Sequence, residues 1–173
     1  MNFARLLNDT RGVCYSIIVG VWAMVAVYAV LHDQYVVRIA PEHFTEYHPQ
    51  IWGIQDPYWL AAALAFCASF GPGLLLGVAC LVAARAGAYP KVSIRSILLG
   101  VVVVIAATEL LSTSLGYWVY RSQQPLYPVS WYPEDSLPLL VTQTIQISCY
   151  LSSALFSGVL LVWIIFWRYR MRQ

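Results

Sequence analysis

All three histidines of the chain fall in one short segment, as His32, His43 and His48, together with the carboxylates Asp33, Glu42 and Glu46. Imidazole changes charge near neutral pH, and imidazole with carboxylate suits zinc, iron, manganese or copper. The candidate metal ligands are His32, His43, Glu46 and His48, and a transition metal is the cofactor such a set would take. Their spacing matches no HExxH, no paired ExxH and no cysteine-containing template. The competing reading is a solvated interfacial loop held by ion pairs from Arg38 to the nearby acids. PEHFTEY predicts a short helix: Pro41 fits a first turn, Glu42 favours the N-terminal dipole, and Glu42 and Glu46 share a face.

A second constellation lies far along the chain. Glu109 is the lone charge in the apolar run from Ser96 to Tyr120. Ser112, Thr113 and Gly116 follow it at offsets of 3, 4 and 7, which places them on its helix face. A carboxylate at mid-bilayer costs about 2.5–3.5 kcal/mol on insertion scales, so it is neutral, paired or facing water. Glu109 and Asp33 are therefore the candidate general acid–base groups. Arg38, Glu42, Ser112, Thr113, Gln143 and Gln146 are the candidate ligand-binding residues around them.

The elements that position these groups follow from hydropathy. The chain has 173 residues, 60% hydrophobic and 10% charged, with mean hydropathy +0.66. Soluble domains carry roughly 25% charged residues. Four apolar runs reach the ~20 residues that a spanning helix needs: Gly12–Leu31, Trp59–Ala84, Ser96–Tyr120 and Pro138–Trp167. They are continuous rather than alternating, which favours helices over a barrel. The fold class is an all-α, integral-membrane four-helix bundle in one domain, with loops at 32–58 and 121–137. The first run, at 20 residues, is too long for a cleaved signal peptide, whose apolar core is usually ~7–15.

Charge predicts the orientation. Arg5, Arg11, Arg85, Lys91, Arg95, Arg168, Arg170 and Arg172 flank one side of the spans, against Arg38 and Arg121 on the other. The positive-inside rule then puts both termini in the cytoplasm. The His32–Pro49 segment faces outward, and the sequon Asn8-Asp9-Thr10 lies on the wrong side for glycosylation. The basic residues are too few and dispersed for nucleic acid. Aromatic residues crowd the outer side, among them Tyr35, Trp59, Tyr117 and Trp131, and form an interfacial belt. Gly73 and Gly77 allow close helix approach, and Pro72 predicts a kink. The loop after the third helix has four prolines and should be an extended cover. Cys14, Cys67, Cys80 and Cys149 form no CxxC and are read as packing residues.

His32-Asp33-Gln34, Arg38-Ile39, Pro41-Glu42, Phe44-Thr45 and His48-Pro49 together resemble a pattern of small bacterial integral membrane proteins that follows their first helix. The likeness covers about 20 residues. It departs at His43, where the pattern has tyrosine, and at Glu46-Tyr47. The resemblance implies a bacterial inner-membrane location and carries no activity with it.

Three functions compete. One is an outward-facing polar cavity, floored by Glu109 and capped by the histidine segment, that binds a metal or small polar ligand or performs proton-coupled catalysis. A second is an oligomeric ion or solute transporter with a ring of Glu109 side chains. A third is a structural or accessory subunit of a larger membrane complex. Quinone–disulfide chemistry lacks paired cysteines, b-type haem needs histidines within the helices and none of the three is expected there, and no GxSxG is present.

Overall fold

The computed structural model describes residues 9–172; Arg5 and the sequon residue Asn8 lie outside them. The described residues are helical, with no strand among them. The four spans are α1 (Arg11–Val36), α3 (Pro57–Arg85), α4 (Ile94–Ser122) and α5 (Leu137–Arg170), and a one-turn helix α2 (Glu42–Thr45) follows α1. Each span runs past its apolar core into flanking polar residues. Asp56 caps α3 by accepting from the Tyr58 and Trp59 amides, with Pro57 in the first turn. Ser93 caps α4 by accepting from the Ser96 amide. Gln123 closes α4 in the left-handed region, at φ 54°. Helix α3 continues through Pro72. The expected PEHFTEY helix shrinks to Glu42–Thr45, because Glu46 already leaves the regular geometry.

Hydropathy is inverted relative to a soluble bundle. Only 17–33% of the most apolar stretch of each span is fully buried inside the protein, which leaves long apolar outer faces suited to lipid. The helices pack as two antiparallel pairs, α1 with α3 and α4 with α5. Gly77 sets the first pair: a Cβ there would sit 2.7 Å from the Ile18 carbonyl oxygen and 2.9 Å from its Cα, so only glycine admits this backbone approach. At Gly73 the neighbour is the Trp22 ring, 3.0 Å away. Gly100 faces Leu160, and Gly116 faces Ile145, across the second pair. The pairs join more loosely, through α1–α4 and α3–α5.

Two apolar layers fill the bundle. One, toward Asp9, contains Ile17, Val21, Ile97, Val101 and Ile164. The other, toward α2, contains Val36, Phe44, Val119, Leu140 and Ile145. Polar side chains separate them.

The Asp9 end is closed by charge. Arg85 donates to both Asp9 oxygens at 2.6 and 2.8 Å, and Lys91 adds a third contact at 2.9 Å. These cations, Arg85 first, hold the Asp9 carboxyl well below the usual range. Arg168 is buried, and its guanidinium donates to the carbonyls of Ala83, Ala86, Tyr89 and Pro90 at 2.7–3.1 Å. It satisfies the Ala83 and Ala86 carbonyls left at the end of α3 and pins the Tyr89 and Pro90 carbonyls of the connection that follows.

Candidate functional site

The polar layer is built from three helices. Tyr28, His32 and Asp33 lie on α1, Glu109 on α4, and Gln146 and Cys149 on α5. His32 belongs to α1 because that helix runs beyond the apolar stretch to Val36, and its last turns are covered by α4, α5 and the loop. The His32 Nδ1 lies 2.7 Å from Glu109 Oε2. Tyr28 donates to the same oxygen at 3.0 Å, and its hydroxyl also lies 3.3 Å from Cys149 Sγ. Gln146 donates to Asp33 Oδ1 at 2.9 Å. The Tyr28–Cys149 and Gln146–Asp33 bonds cross the bundle between α1 and α5, which are not a closely packed pair.

The site is enclosed but not sealed. The His32 side chain is 3% exposed, whereas that of Glu109 is 36% exposed. Both contacts to Glu109 use Oε2, and Oε1 has no bond among the described residues. His32 Nε2, Thr108 Oγ1 and Thr142 Oγ1 are buried without a hydrogen-bond partner in the described residues. Buried polar atoms are rarely left so, and such atoms are where a ligand or ordered water gains most.

A roof covers the α2 end. His43 and Phe44 are buried, and the His43 and His48 rings meet at 4.7 Å between centroids. One His48 ring nitrogen, Nδ1, lies 2.9 Å from the His43 carbonyl. Burial, and then His48, pushes the His43 imidazole down to about 4. The loop after α4 docks on α5 through Tyr132 to Thr144 and Tyr127 to Ser148, at 3.0 and 2.9 Å. It forms the expected cover, with one 3₁₀ turn at Val129–Trp131. Farther out, Tyr47 donates to Glu134, which raises its phenol.

The structure sorts the sequence candidates. It joins His32 to Glu109 and Asp33 to Gln146. It does not gather a metal site: among the described residues no group of three or more His, Cys, Asp or Glu side chains is placed to hold an ion. His32 turns to Glu109, His43 is buried in the roof, His48 bonds backbone, and Glu46 is exposed. Arg38 is exposed and forms none of the expected ion pairs among the described residues. Glu42 is half-buried at the start of α2. Ser112 and Thr113 share the Glu109 face, yet both donate to the Glu109 carbonyl of their own helix. Gln143 bonds the Trp131 carbonyl in the cover.

Two members of the site escaped the sequence reading. Tyr28 stands four residues before His32, on the same helix face. Cys149 stands three after Gln146. Helical spacing from His32 and Gln146 was the available signal, but Cys149 was read as a packing residue and Tyr28 was given no role in the site. No protein-family profile, curated protein or solved structure matches this chain.

Proposed function

We propose that this is a multi-pass membrane protein whose working part is the His32–Glu109 pair, a proton-handling site that binds a polar group within the bilayer. The observation that carries it is the 2.7 Å contact between His32 and a half-open Glu109, with one carboxylate oxygen left over. The structural carboxylate at the opposite end, Asp9, uses both oxygens and its side chain is only 7% exposed. At Glu109, Tyr28 and His32 fix one oxygen, so the group is oriented, and the other is presented. Histidine and carboxylate at this distance can pass one proton between them and to a bound group. Asp33, held by Gln146, gives a second carboxylate beside His32. The basic flanks favour cytoplasmic termini, an orientation in which α2 and the roof would face outward. The bacterial inner membrane fits this topology and the resemblance in the segment after α1.

Infrared difference spectroscopy of the reconstituted chain tests the reading. The Glu109 band, assigned with Glu109→Gln, should change reversibly when bulk pH is cycled. A band that stays silent on pH cycling while the protein remains folded would make the pair a structural contact.

A further inference from the structure

Helices α4 and α5 leave an apolar groove of about 520 Å³ along their shared lipid-facing side. Its walls include Ser96, Val103 and Ala107 on α4 and Phe156, Val159 and Trp163 on α5, and no residue of α1 or α3 lines it. Gly100 leaves room at its floor: Leu160 Cδ1 lies 2.6 Å from where a Cβ would stand. Val103, Val159 and Trp163 are exposed, so the groove opens to the bilayer rather than to the bundle interior. From Ser96 to Ala107 the wall rises by 11 residues, about 16 Å, which is half of a ~30 Å hydrocarbon core. The groove therefore has the depth of one leaflet, and its deep end stops two residues short of Glu109.

The shallow end, toward Asp9, is basic. Arg95 directly precedes Ser96. Because α4 and α5 are antiparallel and Gly100 faces Leu160, Arg95 stands level with the turn of α5 that holds Phe166. The Arg170 guanidinium lies at that same turn, folded back over the Phe166 ring at 5.1 Å from its centroid. Trp163 and Trp167 stack at 5.8 Å where the groove meets this level, as interfacial aromatics do. Arg95 and Arg170 are exposed and form no ion pair among the described residues. Asp9, the one acidic side chain at this end among the described residues, is taken by Arg85 and Lys91.

These features select an occupant. A lipid of the leaflet at the Asp9 end already has its head at the level of the two arginines and its chains pointing to mid-bilayer, so it enters the groove without inversion. A neutral head would leave both cations unmatched. A soluble anion would use the cations and leave the groove unfilled. Basic pockets between spanning helices suit anionic head groups, and each cation there is worth about fivefold in affinity.

We propose that the α4–α5 groove holds one anionic phospholipid, with an acyl chain along Gly100, Val103 and Ala107 and its phosphate at Arg95 and Arg170. The site is separate from the His32–Glu109 pair and does not depend on how that pair is read.

The test offers the full chain in detergent phosphatidylglycerol or phosphatidylcholine with the same acyl chains, and native mass spectrometry counts the lipid retained. Phosphatidylglycerol should be retained on the order of tenfold more, as one molecule per chain. Arg95→Gln and Arg170→Gln should each lower that preference about fivefold, and the double variant should abolish it. Val103 is 67% exposed, so Val103→Trp fills the groove without entering the core. It should lower retention of phosphatidylglycerol while both cations remain. Arg11→Gln, exposed at the same end on a helix that does not line the groove, should change nothing. Excess inorganic phosphate should not displace the lipid. Equal retention of the two lipids would overturn the proposal and leave ordinary boundary lipid. Full retention by Val103→Trp, or displacement by phosphate, would overturn it by showing a head-group contact with no seated chain. A loss in Arg11→Gln as large as in Arg95→Gln would overturn it too, because net charge would then set the preference.

Discussion

The two ends of the bundle treat buried polar groups in opposite ways. At the Asp9 end, Arg85, Lys91 and Arg168 are matched to a carboxylate and to carbonyls. At the α2 end, His32 Nε2, His43 Nδ1 and Thr142 Oγ1 are buried with no partner among the described residues, and Glu109 uses one oxygen of two. A satisfied network fixes a fold, whereas an unsatisfied one leaves stability unclaimed. The Asp9 end is a clamp that ties Asp9, the end of α3, the connection to α4 and the end of α5, and on the proposed reading the α2 end is where a ligand would be stabilised.

The comparison can be broken first at the clamp. Arg168→Leu removes four charge-assisted hydrogen bonds at once. At ~1.5–3 kcal/mol each, and less than additive, the expected loss is about 4 kcal/mol. It would be read as the unfolding midpoint in mixed micelles, with new proteolysis in the loop before α4. Arg168→Lys should recover less than half, because an ammonium cannot span the same fork of acceptors. A variant as stable as wild type would remove the clamp from the account.

The roof should respond to acid. His43 holds its imidazole down to about 4, against 6.5 unperturbed. The native state then binds fewer protons than the opened one between these values, so stability is full above about 6.5 and falls as pH drops toward 4. The whole shift corresponds to no more than about 3.5 kcal/mol. Hydrogen exchange of the α2 amides should speed up across this window, and His43→Phe should flatten the slope. An α2 exchange rate indifferent to pH would mean that His43 is reached by solvent.

The smallest effect is expected inside the site. Tyr28→Phe removes the bonds to Glu109 and Cys149 and should cost about 1 kcal/mol in the same unfolding assay. A cost nearer that of Arg168→Leu would make the polar layer a second clamp and erase the contrast between the ends.

The spans and the intramembrane Glu109 were legible because hydropathy and one charge in an apolar run are local signals. His32 was read as a loop residue because the apolar run stops at Leu31, yet α1 continues to Val36 where neighbouring elements bury it. Arg168 was read as one interfacial cation among several, since nothing in WRYRMRQ separates it from Arg170. Only Arg168 turns inward, onto the end of α3. Ser112 and Thr113 misled in the other direction. Their face was right, but a hydroxyl four residues past a carbonyl can bond its own helix.

The sequence by itself determined four apolar helices long enough to span, the helix on which the lone acid sits and the small residues that let α1 meet α3. Each depends on neighbours a few positions apart. The tertiary structure decided that Glu109 meets His32 and Tyr28, that Asp33 meets Gln146, and that His43 meets His48 rather than joining His32 in a metal site. The partners of Glu109 and Asp33 stand 77, 81 and 113 residues away. Their meeting depends on how each helix is rotated and set in height. Packing contacts such as Gly77 on Ile18 and Gly116 on Ile145 fix that rotation and height, and hydropathy alone cannot specify them.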